Sequence, residues 1–366
     1  MVLSIQYLRG IAAITVFFSH CVWFINGQYV EQNLGTMLFS QLAFGVDLFF
    51  VISGFVICLA SEKETSALHF IIKRFFRIYP VMILMIISLA IYNGLEFNYE
   101  NLKTVLRSMI PLHKDYGSNP PFFGYNFYAP AWTLTYELFF YSIFALTFLV
   151  RKSTSRWLYC SLLCLLSVFT IQLTFNGHVT LVNYKSLIPL VPHFTWLLSI
   201  ASSPMLVDFV FGMIAYAIYK HFPRRFSSES FRYSLIFILL LSCLVIQSGV
   251  MMPNHNPMDF GFQFLHGPRK WGLVAFVIVL CAVLYEKNYD LKIYEPLKKL
   301  GDISYSFYLF QLLAFSFITD IGNRYGITGF SQVFFALFIN LGVSFMLYTY
   351  VEKPSIRLAR IFINKI

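Results

Sequence analysis

The chain has 366 residues, of which 58% are apolar and only 12% charged, where soluble domains run to roughly 45–50% and about 25%. A soluble chain of this length would divide into domains joined by polar linkers, and no such linker is present, so no soluble globular fold fits. The net charge of +10 is spread in short clusters between apolar runs rather than gathered on one polar module, which excludes a nucleic-acid surface and points to a membrane-topology signal.

A membrane-crossing helix needs about 20 mostly apolar residues. In chain order, segments of that kind lie at 6–25, 38–60, 78–93, 131–150, 157–175, 197–219, 232–250, 271–286, 302–320 and 328–351. The expected fold class is therefore all-α: a polytopic integral membrane protein of about ten transmembrane helices, with 1–366 as a single domain. The apolar stretch from Ile11 to Ile25 lacks a basic leader and a small-residue cleavage site, so it reads as a retained first helix. With the amino terminus inside, 20 of the 27 Lys and Arg fall in the inner segments and 7 in the outer loops. Cytoplasmic flanks are the basic ones, so both termini are expected in the cytoplasm. No internal repeat is visible, and no broken helix is expected. The six cysteines all lie in apolar runs without metal-ligand spacing, so neither disulfides nor a metal site is expected.

Two loops stand out. The inner stretch from Ser61 to Pro80 carries Lys73, Arg74 and Arg77 directly before the third helix. The outer stretch from Pro111 to Pro130 is rich in Pro, Gly and aromatics, too irregular to face lipid, and is expected to pack on the protein or line a cavity.

Titratable groups at membrane depth cost at least about 2.5–3.5 kcal/mol each, so each is a functional candidate. His20 lies eleven residues after Arg9, about 16 Å along the first helix and on the same face. A neutral imidazole there suits a general base, and suits equally a hydrogen bond between helices. Asp47 and Glu137 lie in the outer halves of the second and fourth helices, where either carboxylate would orient His20 or simply bond within the bundle. For Asp208, in the sixth helix, a structural role is as good a reading as a functional one. Arg74 and Arg77 share a helix face and suit bidentate phosphate binding, although basic residues there also serve topology or meet anionic lipid.

Several stretches together resemble the acyltransferase-3 family of membrane acyltransferases, especially its exopolysaccharide- and O-antigen-modifying subgroup. They are Ile5 to Ala13 with His20, Gly45 to Phe55, Arg74 to Pro80, Trp132 to Tyr141, Asp208 to Gly212, Gly301 to Leu309 and Glu352 to Pro354, in the family's order from the first helix to the last. The resemblance implies a multi-pass enzyme of the bacterial cytoplasmic (inner) membrane. It would transfer an acyl group, commonly acetyl, from cytoplasmic acyl-CoA to a sugar hydroxyl of a surface polysaccharide or its lipid-linked precursor. Acyl-CoA, with acetyl-CoA the expected form, would be a co-substrate rather than a bound cofactor. The family's functional positions map to Arg9, His20, Arg74, Arg77 and Glu137. Where family members often carry a histidine, this chain has Gln311, which cannot act as a base. The chain ends soon after its last helix, so no fused extracytoplasmic domain is expected.

In the expected mechanism Arg74, Arg77 and Arg9 hold the donor's phosphates. His20 deprotonates the acceptor hydroxyl or briefly carries the acyl group, and Glu137 and Asp47 set its tautomer. The alternative from another class is a transporter or flippase of a lipid-linked glycan. Acyl group, sugar, hydroxyl and oligomeric state are left open.

Overall fold

The computed structural model describes residues 2–96, 98–110, 112–150, 153–223, 228–249 and 265–365. Pro111 and Val250, which bound two of the expected segments, lie outside them. Among the described residues the regular structure is entirely helical, and each of the ten apolar segments falls largely on one or more helices. Helix α1 (Leu3–His20) closes at Cys21 and is followed by the short α2 (Val22–Ile25). Then α3 (Leu34–Phe39) runs through a tight 3-10 stretch into α4 (Gly45–Ala60), and α5 (Ala67–Tyr92) precedes the surface helix α6 (Tyr99–Met109). The middle of the chain forms α7 (Trp132–Leu146), α8 (Arg156–Asn176), α9 (Thr195–Ala201), α10 (Met205–His221) and α11 (Glu229–Gln247). The last part forms α12 (Trp271–Asn288), α13 (Glu295–Tyr325), α14 (Phe330–Leu347) and, after a wide turn at Tyr348–Glu352, α15 (Lys353–Ile363).

Two differences from the sequence reading matter. Helix α5 starts at Ala67, eleven residues before the expected segment, behind the cap Ser66, whose hydroxyl accepts the His69 N–H at 3.3 Å. Arg74 and Arg77 therefore stand on the helix, two to three turns in, rather than ahead of it. The sixth segment is a broken helix, contrary to expectation: α9 and α10 meet at 44° around Ser202–Pro204. Pro204 has no N–H to give to a continuing helix, which explains the break.

Seven helical stretches are long and apolar enough to cross a bilayer, and the bent α9–α10 pair would make an eighth. Their outer faces fit that reading. On α8, Leu158, Leu162, Leu163, Leu166, Phe169 and Leu173 are all exposed, and on α11 so are Phe237, Leu240, Leu241 and Leu244. Continuous apolar stripes of this kind are unfavourable in water and neutral in lipid. The chain is a multi-pass membrane protein.

Lipid provides no hydrophobic drive between helices, so close packing has to hold them. Where α4 crosses α10, a Cβ on Gly54 would collide with the Phe209 carbonyl and one on Gly212 with the Val51 carbonyl. Where α1 crosses α13, a Cβ on Gly10 would come within 2.9 Å of the Gly301 backbone nitrogen. Two glycine contacts thus bring four backbones together around the bundle interior.

The aromatic 112–128 loop packs on the bundle. Tyr136 donates to the Pro121 carbonyl at 2.8 Å, and Tyr128 donates to the Leu309 carbonyl. His113 is fully buried in this loop with its ring edge-on to Tyr116, Phe123 and Tyr136, and neither ring nitrogen has a hydrogen-bond partner among the described residues.

Burial drives the His113 pKa from its ordinary 6.5 down to about 3, so the folded loop holds it neutral. Between those values the unfolded loop takes up a proton that the folded loop refuses. The stability contributed is complete above pH 6.5 and falls as pH drops towards 3. Proteolysis of the loop at pH 7 and pH 4.5 should show this loss, and His113→Phe should remove most of it. A second expectation concerns the crossing: Gly212→Val should destabilise the purified protein by about 1–3 kcal/mol through overpacking, read as a lower Tm in detergent.

Candidate active site

Helices α1, α4, α5, α7 and α13 enclose a cavity of about 170 Å³. Four of the six residues expected to carry function line it: Arg9, Arg74, Arg77 and Glu137. They reach it from three helices far apart in sequence. Arg9 comes from α1, Arg74 and Arg77 from one face of α5, and Glu137 from the second turn of α7.

Three guanidiniums face one cavity carboxylate, and their surroundings differ. Arg77 donates to Glu352, which is fully buried and also accepts from Ser306 at 2.6 Å. Arg77 further lies over the Tyr305 ring, 5.6 Å from its centroid. Arg74 lies over the rings of Phe70 and Tyr141, 5.5 Å from each, and makes no ion pair among the described residues. Arg9 likewise makes no hydrogen bond or ion pair there, although Arg77, Glu352 and Glu137 are close enough to act on it electrostatically. Glu137 accepts from Ser53 at 3.1 Å and from Tyr141 one turn along its own helix. With Arg77 matched by Glu352, two unpaired cations share the cavity with one carboxylate. Such a space favours a bound anion.

The other two expected residues are elsewhere. His20, at the end of α1, does not line the cavity. Its Nδ1 lies 2.7 Å from the Val16 carbonyl oxygen and its ring lies against Phe315. Asp47 has no exposed surface and holds a different histidine: its Oδ2 is 2.6 Å from His266 Nδ1, and its Oδ1 accepts the Gly267 N–H at 2.6 Å. The expected pairing of Asp47 with His20 is replaced by this one, since both carboxylate oxygens are engaged. Gln311 is buried on α13 and also does not line the cavity.

Sequence reasoning missed Ser53, Tyr141, Ser304, Tyr305 and Tyr308 on the cavity wall and Glu352 behind it. All six fall inside the recurring stretches quoted above, which was the available signal. His266 gave none, for its partner is 219 residues away.

A family model described as an acyltransferase domain matches residues 2–349. The chain belongs to the acyltransferase-3 family. It is similar to the exopolysaccharide production protein ExoZ of Rhizobium meliloti, 24% identical over 328 residues that make up 88% of this chain and 92% of that one. It is also similar to the acyltransferase MdmB of Streptomyces mycarofaciens, 30% identical over 43% of this chain and 42% of that one. Nodulation protein 10 of Rhizobium leguminosarum bv. viciae is 33% identical over 38% of this chain and 42% of that one. No solved structure matches. In this acyltransferase the family's recurring stretches converge on the cavity, for Ser53, Arg77, Glu137, Ser304 and Tyr305 all come from them.

The Arg77–Glu352 bond should behave unlike Arg74. Removing one partner of a buried pair strands the other charge at a cost of about 3–5 kcal/mol. Arg77→Gln should therefore lower Tm by several degrees and the Arg77→Gln/Glu352→Gln double variant should recover part of the loss, while Arg74→Gln should leave Tm nearly unchanged.

Proposed function

We propose that this acyltransferase is an acyl-CoA-dependent O-acyltransferase of the bacterial inner membrane, acting on a sugar hydroxyl of a surface polysaccharide or its lipid-linked precursor. The observation that carries the reading is the convergence of Arg9, Arg74 and Arg77 on one cavity with a single one of them neutralised. Acyl-CoA presents clustered phosphates that suit such guanidiniums, and its thioester lies at the end of a long flexible arm that would enter the cavity towards Ser53, Thr133 and Glu137. Acetyl-CoA is the proposed donor. The name of ExoZ, an exopolysaccharide production protein, supports the acceptor class.

In this reading the chain makes ten spans with both termini cytoplasmic. The two beyond the apolar eight are α1 and α13. Helix α1 is about 27 Å long, close to the hydrocarbon thickness of about 30 Å. The polar groups that lower their hydropathy are turned to the interior: Gln6 donates to Asp302 at 2.5 Å, and Arg9, Ser304 and Tyr305 line the cavity. The basic flanks then fall on the cytoplasmic side.

The reading supplies a donor site and leaves the base for the acceptor hydroxyl unassigned, because His20 does not reach the cavity. A second reading, transport of a lipid-linked glycan, draws on the broken α9–α10 helix, a feature transporters use at their substrate sites.

Purified protein in liposomes, given acetyl-CoA and de-O-acetylated surface polysaccharide, should release CoA in step with ester formed. Loss of an Arg74–phosphate contact worth about 1.5–3 kcal/mol predicts that Arg74→Gln raises KM for acetyl-CoA by about tenfold or more, with kcat little changed. An unchanged KM would return Arg74 to a topological role, and glycan movement without any acyl transfer would favour the transporter.

A further inference from the structure

The pair formed by Asp47 and His266 lies outside the cavity. His266 is 5% exposed and Asp47 has no exposed surface. The turn that carries the histidine is held on several sides. Gly267 donates its N–H to Asp47 and Asn183 donates to the His266 carbonyl at 2.6 Å, while Asp208 lies near Asp47 from α10 with neither of its oxygens hydrogen-bonded among the described residues. Gly272 leaves the room for Asp208, since a Cβ there would collide with its carboxylate. A buried carboxylate is costly to keep, and here its two oxygens fix one imidazole and the backbone beside it. With Nδ1 engaged, Nε2 is the ring's remaining functional atom, and it makes no hydrogen bond among the described residues. A carboxylate on one nitrogen sets tautomer and ring orientation while the other nitrogen takes up a proton, which is the arrangement of an oriented general base.

The surroundings indicate the substrate class. The His266 ring is walled by Phe122, Trp132 and Trp271, with centroids 5.9, 5.9 and 4.9 Å away. Phe122 stacks on Tyr125 at 5.0 Å with planes 20° apart, and Tyr125 is exposed. A stacked pair of this kind presents a flat apolar face with a polar rim, which fits the C–H face of a sugar ring and leaves its hydroxyls free. On the other side Trp132 meets Phe50 at 6.3 Å, and Phe50 lines the cavity. His266 thus stands one aromatic layer from the cavity and beneath an exposed aromatic platform.

We propose that His266 is the base that deprotonates the acceptor hydroxyl, with the sugar seated on Tyr125 and Phe122 and with Asp47 positioning the imidazole. This rests on the acyl-CoA reading of the cavity. The hydroxyl proton passes to His266 Nε2, the oxygen forms the new ester bond to the acyl carbon, and the carbon–sulfur bond breaks. The imidazolium, stabilised by Asp47, returns its proton to the leaving thiolate, so that free CoA thiol departs. Transfer by this route requires the Phe50–Trp132 contact between His266 and the cavity to open.

The test uses the full chain in liposomes with acetyl-CoA and de-O-acetylated surface polysaccharide. His266→Asn keeps a donor for Asp47 and removes Nε2. Removal of a general base predicts a fall in kcat of about 100-fold or more, with KM for acetyl-CoA within about twofold of wild type. Imidazole added to His266→Ala should restore transfer by occupying the vacated aromatic slot. Tyr125→Ala should raise KM for the polysaccharide several-fold and leave that for acetyl-CoA unchanged. Retention of more than a tenth of kcat in His266→Asn would overturn the assignment, as would failure of imidazole to restore a His266→Ala protein that still binds acetyl-CoA. Absence of transfer by the wild type would overturn the acyl-CoA reading, and this inference with it.

Discussion

Glu352 carries a carboxylate where no solvent reaches it, so its charge is tenable only because Arg77 and Ser306 occupy its two oxygens. The contact joins α5, α13 and the turn that leads into α15, and two of those helices are walls of the cavity. It also sets the charge that the cavity presents. Arg77 is matched, Arg9 and Arg74 have no ion-pair partner among the described residues, and Glu137 is the one carboxylate among the lining residues. In a space walled by apolar and aromatic side chains, an excess of positive charge is screened far less than in water, and it attracts an anion correspondingly more strongly.

The bundle that holds this arrangement is assembled without a hydrophobic drive. Glycine contacts at α4–α10 and α1–α13 let backbones approach to distances that any side chain would prevent. Polar residues then face inwards, where they find one another, and Leu and Phe cover the outside. The same packing that excludes lipid from the interior sets Asp47 beside His266 and brings Arg9 into the cavity with Arg74 and Arg77. Structural and functional polar groups therefore share one interior. Among the described residues Glu352 is fully engaged, while Arg9 and Arg74 make no ion pair.

Much of this was legible along the chain. Glu137 stands out because charge at membrane depth is costly, and Arg9, Arg74 and Arg77 through the family stretches that carry them; neither signal needs a structure. Helix positions were legible for the same reason, as apolar runs of the right length. Helix starts were less so: the stretch from Ala67 to Arg77, interrupted by His69, Lys73, Arg74 and Arg77, winds into α5 behind the cap at Ser66, which an apolar count does not register. The break before α10 had a sign in Pro204, yet the apolar run continues through it. Asp47 was recognised as a buried charge and expected to orient His20, whereas its carboxylate holds His266.

The amino-acid sequence by itself determined that this protein is a helical membrane bundle, because so apolar a chain has to satisfy its backbone internally within lipid, and only helices or closed barrels do so. It also determined which side chains are costly enough to need a reason. Tertiary structure alone decided which of them meet. Asp47 reaches His266 across 219 residues and Arg77 reaches Glu352 across 275, through helix crossings set by shape rather than by any local pattern.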